Sequence, residues 1–218
     1  KSFRHFILAQ FEKKYPFHIL GGRTGSAKTL VLHELQKKNQ QTINLEGIAK
    51  HKGSAFGDLG EEPSPSQEMF ENIFALELYE ADSSKPIWLE DESQRIGWVN
   101  IPNNIWTQMR ESKVFYLDAP FEERLKYITE NYGKYDLEGL KAATLRIRKR
   151  LGGLDCQVAI QFLEEKNFSE AFRILLRYYD KYYDLATSKR EKSSVLKIEC
   201  EEISPQQNAE SILSQMKK

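Results

Sequence analysis

The sequence predicts an α/β fold: a mainly parallel five-stranded sheet with helices on both faces and a helical subdomain before the last strand. Two observations carry this. Five short apolar, β-branched or aromatic segments, at 17–20, 42–46, 86–90, 114–118 and 194–198, alternate with helical patterns, as a parallel sheet with crossover helices requires. After the first of them comes Gly21-Gly22-Arg23-Thr24-Gly25-Ser26-Ala27-Lys28-Thr29, a glycine-rich turn opening a helix, which makes the fold P-loop NTPase-like.

The elements follow in order. A helical pattern at 3–14 precedes the strand Phe17-His18-Ile19-Leu20. The loop then fits G-x-x-x-x-G-K-[ST] from Gly22 to Thr29, with Ala27 in place of the second glycine. Such a loop aims backbone N–H groups at a phosphate, and the helix N-terminus adds its partial positive charge. Gly22, Thr24, Gly25, Ser26, Ala27, Lys28 and Thr29 are the expected phosphate-binding positions, with Lys28 on the outer phosphates and the Thr29 hydroxyl on a magnesium ion. Ala27 fits the loop by adopting helical φ/ψ, at the cost of a methyl near the phosphate. Leu30, Val31, Leu32 and Leu35 mark the following helix over 28–38.

The strand at 42–46 runs into Glu46-Gly47-Ile48-Ala49-Lys50-His51-Lys52-Gly53-Ser54. Glu46 is expected at a strand tip, and His51, Lys52 and Ser54 among glycines, where backbone approaches a ligand closely. His51 is a candidate acid/base or phosphate donor, although a lone loop histidine is more often solvated. Residues 52–66, rich in Gly, Ser and Pro, read as a long loop. A helix over 67–81 leads to the strand 86–90, which ends in Glu90-Asp91-Glu92-Ser93-Gln94-Arg95. Carboxylates at a strand tip hold magnesium or its water shell, and period alone does not choose between Glu90 and Asp91. Helices at 102–111 and 121–131 flank the strand 114–118, and Arg124 lies where a phosphate-side arginine fits.

Residues 132–190 are helical, charged and aromatic (137–150, 155–165, 168–186), a lid or RNA-binding lobe between a core at 1–131 and a closing strand and helix at 191–218. Arg146 and Arg150 share a helix face at i, i+4, with Arg148 and Lys149 beside them. They suit either phosphates or an RNA backbone, and a solvated face is the commoner role. Tyr178, Tyr179, Tyr182 and Tyr183 follow helical spacing, so packing comes first and base stacking second. Ser204, Pro205 and Gln207 mark the start of a last helix at 205–217.

The bulk properties bound the function. Lys+Arg and Asp+Glu balance at 32 each, which argues against indiscriminate coating of nucleic acid. The two cysteines, Cys156 and Cys200, are too few for a disulfide framework or a zinc site. No apolar run reaches membrane-span length, so no membrane partner and a reduced, cytoplasmic protein are expected. The start at Lys1 points to a fragment or a processed form. An Asn-Lys-x-Asp base-reading motif of the Ras type is missing.

The blocks GGRTGSAKT, LEGIAKHKGSAFG, PSPSQEMFEN and WLEDESQRIG together resemble the C-terminal P-loop domain of the tRNA 2-selenouridine synthase family, from about residue 1 through at least Tyr132. The resemblance implies a transferase acting on the wobble 2-thiouridine in the anticodon region of tRNA. It implies geranylation from geranyl diphosphate, then replacement of S-geranyl by selenium from selenophosphate. In that family a rhodanese-like domain carries the selenium-handling cysteine. Nothing here matches it, so the chain is expected to be a P-loop half, incomplete alone, with that domain as partner. The resemblance places diphosphate on Gly22, Gly25, Ser26, Lys28 and Thr29. It adds Glu46, His51, Ser54, Asp91 and Arg95 as neighbouring family-type positions without assigning their roles. Taken with the residue reading, Lys28, Asp91, Arg95 and His51 are the catalytic candidates, and Thr29 and Asp91 the magnesium candidates. The alternatives are an ATP-dependent small-molecule or nucleoside kinase with an arginine lid, and an RNA-binding module whose loop grips tRNA phosphate. ATP use stays open.

Overall fold

The computed structural model describes residues 1–188, 190–191 and 194–216. Five parallel strands form one sheet in the order β2-β3-β1-β6-β7: β1 (Phe17–Gly22), β2 (Gln41–Thr42), β3 (Ile87–Glu90), β6 (Lys113–Asp118) and β7 (Val195–Glu199). A separate antiparallel hairpin pairs β4 (Arg95–Ile96) with β5 (Val99–Asn100). Because β1 is central, the chain leaves it toward β2 on one side and later crosses to β6 on the other. The carboxyl end of β1 is therefore the switch point where sheets of this kind open a crevice.

The central strands β3, β1 and β6 are mostly apolar because both faces are covered. Ile19, Ile87, Leu89, Val114 and Tyr116 pack into one cluster with α1 (Ser2–Phe11), α4 (Gln67–Glu80) and α5 (Asn103–Glu111). Their alternating neighbours Leu20, Trp88, Phe115 and Leu117 pack into another with α2 (Lys28–Lys37) and α11 (Pro205–Met216). The expected last residue of α11, Lys217, lies outside the described residues.

A third cluster joins α6 (Phe121–Tyr132), α7 (Leu137–Arg146), α9 (Gly153–Glu164) and α10 (Phe168–Thr187) through Leu125, Ile128, Leu140, Leu163, Phe172 and Leu175. Phe56, from the long loop, is buried in it. Leu125 and Ile128 tie α6, counted with the core from the sequence, to this lobe.

Three local expectations are corrected. The second strand stops at Thr42, because Asn44 turns the chain: its Oδ1 accepts the Gly47 N–H at 2.8 Å and caps the short helix α3 (Leu45–Ala49). Glu46 is thus in the first turn of a helix, not at a strand tip. The expected helix 137–150 breaks at Ile147 (φ −100°, ψ 1°) into α7 and the one-turn α8 (Arg148–Leu151), so Arg146 and Arg150 do not share a continuous helix face. The β4–β5 hairpin has no counterpart in the sequence reading. No helix among the described residues is long and apolar enough to cross a membrane.

Candidate functional site

The glycine loop wraps the carboxyl end of β1 and delivers the chain into α2. Gly25 has φ +86°, and a Cβ there would lie 2.9 Å from Ile128 Cγ1 and 3.0 Å from the Arg124 carbonyl oxygen. Glycine is required on both counts. Ala27 is also left-handed (φ 55°, ψ 36°), not in the helical region expected from the sequence. This explains why a glycine belongs at that position: an L side chain there costs about 1–2 kcal/mol. Lys28 folds back, donating from Nζ to the Gly22 carbonyl at 3.0 Å with the Tyr183 ring centre 5.7 Å away.

Around the Thr29 hydroxyl the structure gathers acids. Glu90 Oε1 is 2.8 Å away and Glu46 Oε2 3.2 Å. A single hydroxyl proton can serve one of them fully. Parallel pairing sets Glu90 opposite Leu20, beside the start of the loop. Burial, then the neighbouring Glu46, pushes Glu90 up to about 8. Burial raises Glu46 as well, and burial followed by Glu46 and Glu90 raises Glu92 well above the carboxylate range. Glu90 Oε2 is buried with no hydrogen-bond partner among the described residues.

An oxygen-only donor set with an orphaned buried carboxylate oxygen fits a hard divalent cation. No closed cage of three or more His, Cys, Asp or Glu side chains occurs among the described residues. Magnesium does not need one, since it takes one or two protein oxygens alongside phosphate oxygens and water.

These residues form the floor of a cleft of about 930 Å³. Thr24 through Leu30, Glu46, Lys52, Gly53, Ser54 and Glu90 through Ser93 line the polar side, and Trp106, Tyr127, Tyr132, Tyr135, Tyr179, Tyr182 and Tyr183 the aromatic side. Lys52 reaches across, with Nζ 3.0 Å from the Tyr135 hydroxyl and 2.9 Å from Glu61. Tyr179 accepts the Ala55 N–H at 3.3 Å and fixes the long loop against the lobe.

The C-terminal half of α10 braces the loop from above. The Tyr183 hydroxyl accepts the Gly22 N–H at 3.0 Å and lies 3.2 Å from Asp91 Oδ2. Arg23 pairs with Asp184 at 2.8 and 3.1 Å. Arg124 donates to both Asp180 oxygens, at 2.8 and 2.7 Å, and to the carbonyls of Thr24 (3.0 Å) and Ala119 (3.2 Å).

This placement separates the expected residues. The loop residues Thr24 to Thr29, Glu46, Lys52 and Ser54 meet at the cleft. Gly22 meets them through its carbonyl and Lys28. Asp91 also borders the cleft, but Arg190 holds its Oδ1 at 2.5 Å and Arg110 stands 3.5 Å away. The carboxylates at the Thr29 hydroxyl are Glu90 and Glu46, so the magnesium expectation passes from Asp91 to them. Arg124 is buried as a clamp on the loop and does not face a phosphate. His51 packs its ring against Gly57 and Gly97, and its Nδ1 accepts the Gly53 N–H at 3.1 Å. Burial lowers its pKa, and its ring lies outside the cleft lining. Arg146 is spent on Asp58 at 2.6 and 2.7 Å, and Arg150 lies outside the cleft lining. Arg95 sits on the β4–β5 hairpin outside the cleft lining.

Sequence reasoning missed Trp106, Tyr127, Tyr132 and Tyr135 as lining residues, and gave Tyr179, Tyr182 and Tyr183 to packing. Helical spacing is the same whether a face meets a core or a cleft. The density of tyrosines over 127–183 is the signal that was available.

Residues 15–212 match the family described as the tRNA 2-selenouridine synthase AAA domain. Proteins named tRNA 2-selenouridine synthase are similar over most of the chain. That of Hydrogenovibrio crunogenus is 36% identical over 88% of this chain and 60% of its own, and that of Marinobacter nauticus 32% identical over the same shares. That of Sulfurovum sp. is 32% identical over 84% and 58%. The chain thus spans about 60% of the length of these curated relatives. A solved structure from Thermus thermophilus aligns over 93% of this chain and 97% of its own at 14% identity, with a TM-score of 0.43, too loose a likeness to carry an argument.

Proposed function

The chain belongs to the tRNA 2-selenouridine synthase AAA-domain family, and from that premise we propose that it is the phosphate-handling half of a transferase that modifies the wobble 2-thiouridine of tRNA, geranylating its sulfur from geranyl diphosphate. The observation that carries the reading is the cleft itself, in which a phosphate loop faces a wall of tyrosines. Diphosphate suits one side, and an isoprenoid chain or an unstacked base suits the other.

In this reaction the thiocarbonyl sulfur forms a bond to C1 of the geranyl group while the C1–O bond breaks, the diphosphate leaves with the electron pair, and the N3 proton of the alkylated base passes to the departing diphosphate. No strong base is needed. The protein's task is to bind the charge that grows on the leaving oxygen. Lys28 turns from the Gly22 carbonyl to the phosphates, and the amides of Gly25 to Thr29 surround them. Thr29 and Glu90, with Glu46 behind, would hold a magnesium ion, which adds positive charge beside the leaving group when bound. The tyrosine wall excludes water from the allylic centre.

Selenation from selenophosphate belongs to the rhodanese-like domain or subunit as partner. Cys156 and Cys200 are both buried with pKa values raised by that burial, the reverse of a reactive thiol. The kinase alternative loses support because Arg146 and Arg150, the expected lid arginines, lie outside the cleft lining. ATP has no part in the proposed reaction.

The test is to incubate the protein with a 2-thiouridine anticodon stem-loop, geranyl diphosphate and magnesium, and to follow the RNA mass. An S-geranyl mass shift is expected. ATP hydrolysis or small-molecule phosphorylation without that shift overturns the proposal.

A further inference from the structure

The β4–β5 hairpin carries Trp98, the most exposed large hydrophobic side chain among the described residues at 75% accessible. An indole in water is unusual, since tryptophan is highly buried on average. Trp98 is not on a loose loop. Its turn has two residues: Gly97 at φ +57° and Trp98 with an ordinary φ. Glycine at the first corner is what a tight type II′ hairpin needs. Ile96 and Val99, paired across the hairpin, are buried in the sheet core. The Ser93 hydroxyl donates to the Arg95 carbonyl at 2.6 Å, and the His51 ring fills the space beside Gly97. A rigid mount therefore displays a flat aromatic surface.

Beside it stands a cation with no carboxylate partner among the described residues. Arg95 donates from Nε to the Gly97 carbonyl at 3.0 Å, and its guanidinium lies 5.9 Å from the Trp98 ring centre. By contrast, Arg4, Arg23, Arg124, Arg146, Arg173 and Arg190 each hold a carboxylate. The hairpin is joined to the cleft lining. Ser93, two residues before Arg95, and Gly53, which bonds His51, both line the cleft.

A π-face beside an unspent guanidinium is the chemistry that takes an unpaired nucleobase and its phosphate. A protein partner would be better served by a broad apolar patch, and the hairpin's other exposed positions, Arg95 and Asn100, are polar. We propose that Trp98 and Arg95 form a stacking platform for an unpaired base of the RNA, adjacent to the nucleotide that enters the cleft. The proposal rests on the reading of RNA as the substrate.

The experiment measures binding of a fluorescein-labelled 2-thiouridine anticodon stem-loop by anisotropy to the wild type, Trp98→Ala, Trp98→Phe and Arg95→Gln, with thermal melting as the fold control. Loss of one stacked base predicts about tenfold weaker binding for Trp98→Ala and near-retention for Trp98→Phe. Arg95→Gln is expected to lower the slope of log affinity against log salt by about one. RNA should protect tryptophan emission from acrylamide more in the wild type than in Trp98→Phe, because Trp98 is exposed, Trp88 is buried and Trp106 in the cleft is common to both. If the wild type binds and Trp98→Ala binds equally well, the platform is overturned and the tRNA reading stands. If the wild type does not bind the stem-loop, both fall.

Discussion

Replacing Arg124 by methionine should destabilise the protein and loosen the phosphate loop together. The side chain is 2% accessible and makes four hydrogen bonds, two to Asp180 and one each to the carbonyls of Thr24 and Ala119. Methionine keeps much of the aliphatic volume but leaves a carboxylate without its cation. Breaking a buried pair from one side costs about 3–5 kcal/mol. Asp180 retains 18% accessibility and reaches water, so the lower end, about 3 kcal/mol, is expected. For a domain of this size each kcal/mol moves Tm by about 2–4 °C, giving a drop of about 6–12 °C. Urea unfolding followed by circular dichroism measures the free energy. The double variant Arg124→Met/Asp180→Leu should recover at least about 1 kcal/mol, because the unpaired charge is gone and two bare carbonyls remain. A single-variant cost below about 1 kcal/mol, the range of a surface pair, would refute the reasoning. So would a double variant no more stable than the single one.

Three further expectations follow from the site. With Glu90 raised to about 8 against 4.5 in the unfolded chain, the native state holds its proton more tightly, so the metal-free protein should lose stability as pH rises from about 4.5 to 8. Glu90→Gln should flatten that trend in melting scans, magnesium at pH 8 should restore stability to the wild type alone, and stability rising over the window would contradict the assignment. Lys28→Ala should weaken pyrophosphate binding in calorimetry by about 10–100-fold, the worth of a charged hydrogen bond, with Tm lowered by less than about 3 °C because its contacts are one carbonyl and one ring face. Gly25→Ala, which forces a Cβ against Ile128 and the Arg124 carbonyl at positive φ, should cost about 2–4 kcal/mol in urea unfolding, and a neutral result would mean that the loop is not held as described.

What the sequence made legible was local. The loop and α2 could be read because their chemistry lies in nine consecutive residues, and the strand cores because burial on both faces leaves unbroken apolar runs. The readings that failed depend on distant partners. Asp91 and Glu90 are adjacent, and what sends one to Arg190 and leaves the other beside Thr29 is a contact 99 residues away. Arg124 resembled a phosphate ligand until Asp180, 56 residues on, was seen to claim it. Arg146 faces Asp58, not Arg150, because Ile147 ends the helix between the two basic residues. The strand expected at 42–46 failed for a local reason, a cap at Asn44 hidden within an apolar run.

The bracing of the loop by α10 has a consequence for how the protein is made. Gly22 and Tyr183 are 161 residues apart, as are Arg23 and Asp184. While the chain is being translated, the loop leaves the ribosome long before the helix that fixes it exists. A stalled or truncated product would carry the motif without its brace, and the nascent chain would gain its grip on phosphate late, when α10 docks. Synthesis of α10 and bracing of the loop are thereby coupled.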